Sequence, residues 1–140
     1  MAGFLLDTNV ISELVRKVPA PQVLQWVNAQ KIDELYLSAV TLGELTRGIV
    51  RLPDSGKRDK LSHWIAVELP RQFENRILAF DQKTAVIWGT LMGKGDRTGH
   101  PYSATDAQIA ATALRYSLVM VTRNTRDFEG TGVVLLDPWH

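Results

Sequence analysis

The chain has 140 residues, the length of one ordinary domain, and its 45% hydrophobic and 22% charged residues are the balance of a soluble globular protein. It has no cysteine and a formal net charge of +1, which excludes disulfides and thiolate metal sites and leaves any nucleic-acid contact to local patches. No apolar run approaches the ~18 residues of a membrane span, Asp7 breaks the first apolar stretch too early for a signal peptide, and the lack of cysteine fits the cytoplasm.

In chain order, Phe4–Leu6 reads as a strand and Thr8–Lys17 as a helix with apolar Val10, Ile11, Leu14 and Val15. Pro19 and Pro21 interrupt it, and Pro21 opens a second helix to Gln30, since proline suits a first helical position. Glu34–Ser38 is a second strand, and Thr41–Leu52 a helix whose Leu42, Leu45 and Ile49 share a face. Pro53–Gly56 is a turn, and Lys57–Asn75 a helix kinked or ended by Pro70. Ile77–Phe80 is a third strand, Gln82–Met92 a helix, and the glycine-rich Gly93–Pro101 a loop. Ser103–Tyr116 is a helix, and Leu118–Thr122 and Val133–Leu136 are the last strands. Continuously apolar strands such as VVLL suit a parallel sheet covered on both faces. With no repeat or composition shift, residues 1–140 read as one α/β domain, three layers around a mainly parallel sheet of four or five strands.

Four acids fall where strands feed helices: Asp7 after the first strand, Glu44 in the first turn after the second, Asp106 in the first turn of the Ser103 helix, and Asp127 after the fourth strand. Strand ends that feed helices share one edge of a parallel sheet, where ligands bind. A structural explanation competes: Thr41-Leu-Gly-Glu44 and Ser103-Ala-Thr-Asp106 match the capping box, and a first-turn carboxylate gains about 0.3–1 kcal/mol from the helix dipole. Asp106, however, shares its face with Ile109, Ala110 and Ala113, and Asp7 follows residues that should be buried. Gathered carboxylates at a half-buried edge repel unless neutralised, and a hard divalent cation does that with one or two carboxylates and several waters. Such an ion can activate water and stabilise charge on a phosphodiester.

Other groups carry less. His63, His100 and His140 lack metal-ligand spacing; Ser38, Ser103 and Thr122 lack a His/Asp relay; the Gly93-Lys-Gly95 stretch matches no phosphate loop. Trp26, Trp64, Trp88 and Trp139 read as core or interface residues. Arg16, Lys17, Arg47, Arg51, Lys94, Arg97, Arg123 and Arg126 lie near the acidic edge, some of them candidates for phosphate contacts.

Five blocks, LLDTNVISEL, SAVTLGELTRGI, SATDAQIAATAL, VTRNTRDFEG and LLDPW, appear in order over essentially the whole chain. Together they resemble VapC-type toxins of the PIN-domain ribonuclease family, in particular the FitB/StbB-like branch. The resemblance implies a three-layer PIN-like fold and a Mg²⁺- or Mn²⁺-dependent endoribonuclease acting in the cytoplasm. It also implies a homodimer, alone or within a larger toxin–antitoxin assembly, a cognate VapB/FitA-type antitoxin that inhibits it, and DNA contact only through the antitoxin. Carried over by position, the family's acids fall on Asp7, Glu44 and Asp106, the metal-binding set, and the fourth catalytic role is assigned to Asp127, although some relatives carry their acid three residues earlier, where Asn124 stands. Thr8, Asn9, Thr122 and Asn124 would orient the carboxylates or their water. Two other readings stand beside the nuclease: a catalytically silent PIN-like module that binds protein or RNA, and a Mg²⁺-dependent receiver-type signalling domain, which would need a strand-end lysine that is missing here.

Overall fold

A computed structural model describes residues 3–140. Five short strands, β1 (Phe4–Leu6), β2 (Leu35–Ser38), β3 (Ile77–Leu78), β4 (Val119–Val121) and β5 (Leu135–Leu136), form one sheet in the order β3-β2-β1-β4-β5. Every pairing is parallel, with Phe4 opposite Leu35 on one side of β1 and opposite Val119 on the other. The chain thus builds outward from β1 through β2 to β3, then crosses back to place β4 on the free side of β1. The β1–β4 boundary is where the winding reverses, the point at which open α/β sheets form a crevice.

Strand alternation explains the layers. Leu6, Leu35, Leu37 and Val121 pack into one core with α1 (Thr8–Leu14), α2 (Pro21–Ala29), α3 (Ala39–Val50) and α5 (Leu69–Gln72). Leu5 and Met120 point the other way, onto α6 (Gln82–Thr98) and α7 (Ala104–Arg115). Adjacent strand residues face opposite sides, so both faces need apolar side chains, and each fully buried leucine contributes roughly 1.5–3 kcal/mol. α7 meets the sheet through Ala110, Ala111 and Ala113, all nearly solvent-free, so its backbone approaches the strands closely.

The structure moves several boundaries. α1 stops at Leu14 rather than Lys17, because the Glu13 carboxylate captures the Ala20 amide at 2.8 Å and folds the following segment back. α3 begins at Ala39, where the Ser38 hydroxyl accepts from the Val40 amide at 3.0 Å. The Thr41–Glu44 capping box is therefore absent, and Glu44 sits in the second turn, not the first. The long helix predicted over residues 57–75 divides into α4 (Gly56–His63), a π-helical stretch (Trp64–Glu68) and α5, with Pro70 in the first turn of α5. The loop predicted at Gly93–Pro101 is largely helix: α6 runs to Thr98 and ends on Gly99 at φ 77°. Gly95 makes this possible, since a Cβ there would lie 2.7 Å from the His100 carbonyl oxygen.

Candidate active site

Asp7 leaves β1 at the β1–β4 crevice and caps α1. Its amide donates to the Val121 carbonyl at 2.9 Å, which holds the side chain at the end of the sheet with only 5% exposure. Oδ1 accepts from the Thr8 amide at 2.8 Å, and Oδ2 accepts from the Thr122 hydroxyl at 2.8 Å across the crevice and from Asn9 Nδ2 at 3.4 Å. The Thr122 hydroxyl also accepts from Asn9 Nδ2 (3.2 Å) and the Asn124 amide (3.1 Å), so its one donor and two acceptor positions are all used. The Arg123 amide in turn donates to Asn9 Oδ1 at 3.3 Å. β1, α1 and the segment after β4 are thereby stitched around one carboxylate.

A cavity of about 450 Å³ opens beside Asp7, and Glu44 and Asp106 also line it. The Thr8 hydroxyl donates to Glu44 Oε1 at 2.5 Å and stands 3.3 Å from the Thr41 hydroxyl, fixing the α3 acid against α1. Asp106 is half-buried in the first turn of α7, where its own amide donates to the Ser103 hydroxyl at 3.2 Å. Burial raises the Asp7 pKa to about 6, against the lowering hydrogen bonds from Thr122 and Thr8, with added repulsion from Asp106 and Glu44. Burial also raises Asp106, with Asp127 adding repulsion. Desolvation and like charge act in the same direction here.

Of the residues singled out in the sequence, Asp7, Thr8, Asn9, Glu44, Asp106 and Asn124 border this cavity, and Thr122 is buried behind Asp7. Asp127 does not border it. Asp127 is exposed on the 3₁₀ turn Thr125–Phe128 and lines a second cavity of about 810 Å³, which shares Asp106 as a wall. Among the described residues, no three acidic or histidine side chains are clustered tightly enough to hold an ion together in this conformation. The acids surround a common space rather than forming a closed cage.

Sequence reasoning missed Glu13. It is buried in the cavity wall, accepting from the Ala20 amide and pairing with Arg16 at 3.3 Å. The Ala20 hydrogen bond and Arg16 hold its pKa below the usual carboxylate range, with a smaller effect from Arg123. The signal was present: Asn9, Ser12 and Glu13 follow helical spacing and form the polar stripe of α1, opposite Val10, Ile11 and Leu14.

A wholly parallel α/β sheet with carboxylates gathered at its winding reversal defines the structural class. The chain belongs to the PIN-domain family, whose model matches residues 4–133. It is 39% identical to the plasmid stability protein StbB of Pseudomonas syringae pv. tomato, over 96% of this chain and 97% of that one. It is 37% identical to the toxin FitB of Neisseria gonorrhoeae, over 97% and 98% of the two chains. Among solved structures, a chain of FitAcB from Neisseria gonorrhoeae superposes with a TM-score of 0.92 at 36% identity, covering 98% of this chain and 99% of that chain. Relatives at lower identity include a tRNA(fMet)-specific endonuclease VapC of Shigella flexneri, 29% identical over 99% of both chains.

Proposed function

We propose that this protein is the toxin of a toxin–antitoxin pair and that it hydrolyses RNA phosphodiester bonds with a divalent cation, Mg²⁺ or Mn²⁺. The observation that carries the reading is the convergence of Asp7, Glu44 and Asp106 on one cavity at the β1–β4 crevice. The names of its relatives, among them VapC ribonucleases and the FitA–FitB complex, give the reaction class and the partner: an antitoxin of the VapB/FitA type. Receiver-type phosphotransfer has no support among these relatives, and a silent binding module would not need a buried, desolvated Asp7.

The donor set fits a hard cation: oxygen ligands only, with one buried carboxylate that gains from a positive neighbour. Asp7 and Asp106 would hold the ion, with Glu44 beside them, and the ion would supply Lewis acidity toward the phosphate and its attacking water. The protein's own part is orientation. Thr122, Thr8 and Asn9 lock the Asp7 oxygens, and Thr8 also locks Glu44, so little reorganisation accompanies binding. Asn124 borders the acidic cavity and Asp127 the adjoining one; the fourth polar position of the site is Asn124, while Asp127 acts on Asp106 by charge across the shared wall. The active species is a homodimer in the cytoplasm. The test is incubation of purified protein with RNA in Mg²⁺, Mn²⁺ or EDTA, with Asp106→Ala as control and the new RNA ends mapped. Discrete, metal-dependent ends absent from the control support the reading; intact RNA under every condition overturns it.

A further inference from the structure

The acidic cavity has two cations on its rim, Arg16 and Arg123, and they are differently committed. Arg16 is paired with Glu13 at 3.3 Å. The Arg123 guanidinium makes no hydrogen bond or ion pair among the described residues; its Cζ instead lies over the Trp139 ring, 5.4 Å from the centroid. Trp139 is itself tethered, its amide donating to Asp137 Oδ1 at 2.8 Å and its carbonyl accepting from Gln22 Nε2 at 3.3 Å. The Arg123 backbone is tied to Asn9 of α1 at 3.3 Å and Trp139 to Gln22 of α2, so the two members of the pair are anchored to neighbouring helices.

This arrangement bears on a physical difficulty. A free arginine beside three carboxylates would swing inward and pair with them, spending its charge and blocking the space. A cation seated over an aromatic ring is held by its charge rather than by its N–H groups, and the Arg123 donors stay free. A cation held in this way can take the oxygens of a phosphodiester bidentately, which an arginine already paired to a carboxylate cannot do.

We propose that Arg123 is a phosphate-binding residue for the RNA strand entering the acidic cavity, and that Trp139 is a positioning residue that holds Arg123 off the acids. The proposal rests on the ribonuclease reading above and adds the residue that grips the substrate. It assigns Trp139, read from the sequence as a core or interface residue, a task that requires its ring and not only its bulk.

The test measures binding of a short single-stranded RNA to Asp106→Asn protein in EDTA over a range of salt, so that neither cleavage nor the ion enters. Arg123→Ala should weaken binding about tenfold and reduce the salt slope by about 0.7, the value for one phosphate on a single strand. Trp139→Phe, which keeps an aromatic face, should bind within about twofold of its parent, whereas Trp139→Leu, which keeps apolar packing without the ring, should approach Arg123→Ala. The double variant Arg123→Ala with Trp139→Leu should be no weaker than Arg123→Ala alone. In the Asp106-containing enzyme the same order should appear in KM for RNA, with kcat changed less. An unchanged salt slope in Arg123→Ala, equal binding by Trp139→Leu and Trp139→Phe, or additive losses in the double variant would each overturn the proposal. If the unsubstituted enzyme cleaves RNA while these results go against Arg123, the pair is structural and the ribonuclease reading stands. If the unsubstituted enzyme neither binds nor cleaves RNA, the ribonuclease reading fails and this proposal with it.

Discussion

The two cavities at the carboxyl edge of the sheet share a wall, Asp106, yet present their other acids differently. In the β1–β4 crevice Asp7 is buried, with both oxygens occupied by hydrogen bonds from three residues. On the other side Asp127 is exposed on a 3₁₀ turn. A carboxylate confined by burial and hydrogen bonds is pre-oriented and expensive to keep charged; one in solvent is cheap and mobile. On the proposed mechanism, position at the winding reversal, more than possession of an acid, decides which carboxylate serves the chemistry.

The comparison is broken most severely by removing the buried member. Asp7→Asn should lower RNA cleavage at least about 100-fold, the order seen when one charge-stabilising group is lost, while circular dichroism stays native; EDTA should do the same to the unsubstituted enzyme, reversed by excess Mg²⁺. Thr122→Val removes the hydroxyl that joins Asp7, Asn9 and Asn124, and should cost roughly 10-fold in kcat/KM, the lower end for loss of an orienting partner. Asp127→Asn should stay within about threefold of the unsubstituted enzyme, since an exposed charge across a shared wall is well screened. A loss as large as that of Asp7→Asn would move the fourth acidic role back to Asp127.

Stability sharpens the same contrast. Asp7 titrates at about 6 in the folded protein and near 3.9 in an unfolded chain. Below about pH 4 it is protonated in both states and costs nothing. Between about pH 4 and 6 the unfolded state releases its proton first, so folding stability falls as pH rises, and above about 6 the cost levels off at roughly 3 kcal/mol. Urea unfolding in EDTA should therefore show Asp7→Asn more stable than its parent at pH 7.5, by up to that amount, with the difference gone by about pH 4. Glu13 has the opposite sign: its lowered pKa gives stability that is present above the unfolded carboxylate pKa and is lost as acid protonates it. Glu13→Gln should be destabilised at neutral pH and lose less than its parent on acidification.

The outline of this fold was legible in the sequence because β1, β2 and β4 are apolar runs ended by a polar residue, and that pattern located Asp7; Thr122 was reached only through the family resemblance. The Asp106 face was legible because Ile109, Ala110 and Ala113 repeat at helical spacing. The start of α3 was misplaced because the Thr41–Glu44 pattern resembles a capping box, whereas the Ser38 hydroxyl at the end of β2 takes the Val40 amide and starts the helix three residues earlier. Helix α6 was cut short because glycine is a poor helix former, and the compensation at Gly95, close approach of the His100–Tyr102 segment, is a tertiary fact. Glu13 was missed for a similar reason: its partner is the Ala20 amide, which returns to it only after the chain turns beyond α1. The separation of Asn124 from Asp127 into different cavities depends on a single 3₁₀ turn, beyond the reach of residue spacing.

The central claim, that Asp7 and Asp106 together hold a divalent cation, is tested most directly by anomalous scattering from crystals grown with Mn²⁺. The account predicts one strong peak in the β1–β4 crevice, bonded to oxygens of both carboxylates and lost in Asp7→Asn. A peak elsewhere, or none at a Mn²⁺ concentration that sustains full RNA cleavage, would contradict it.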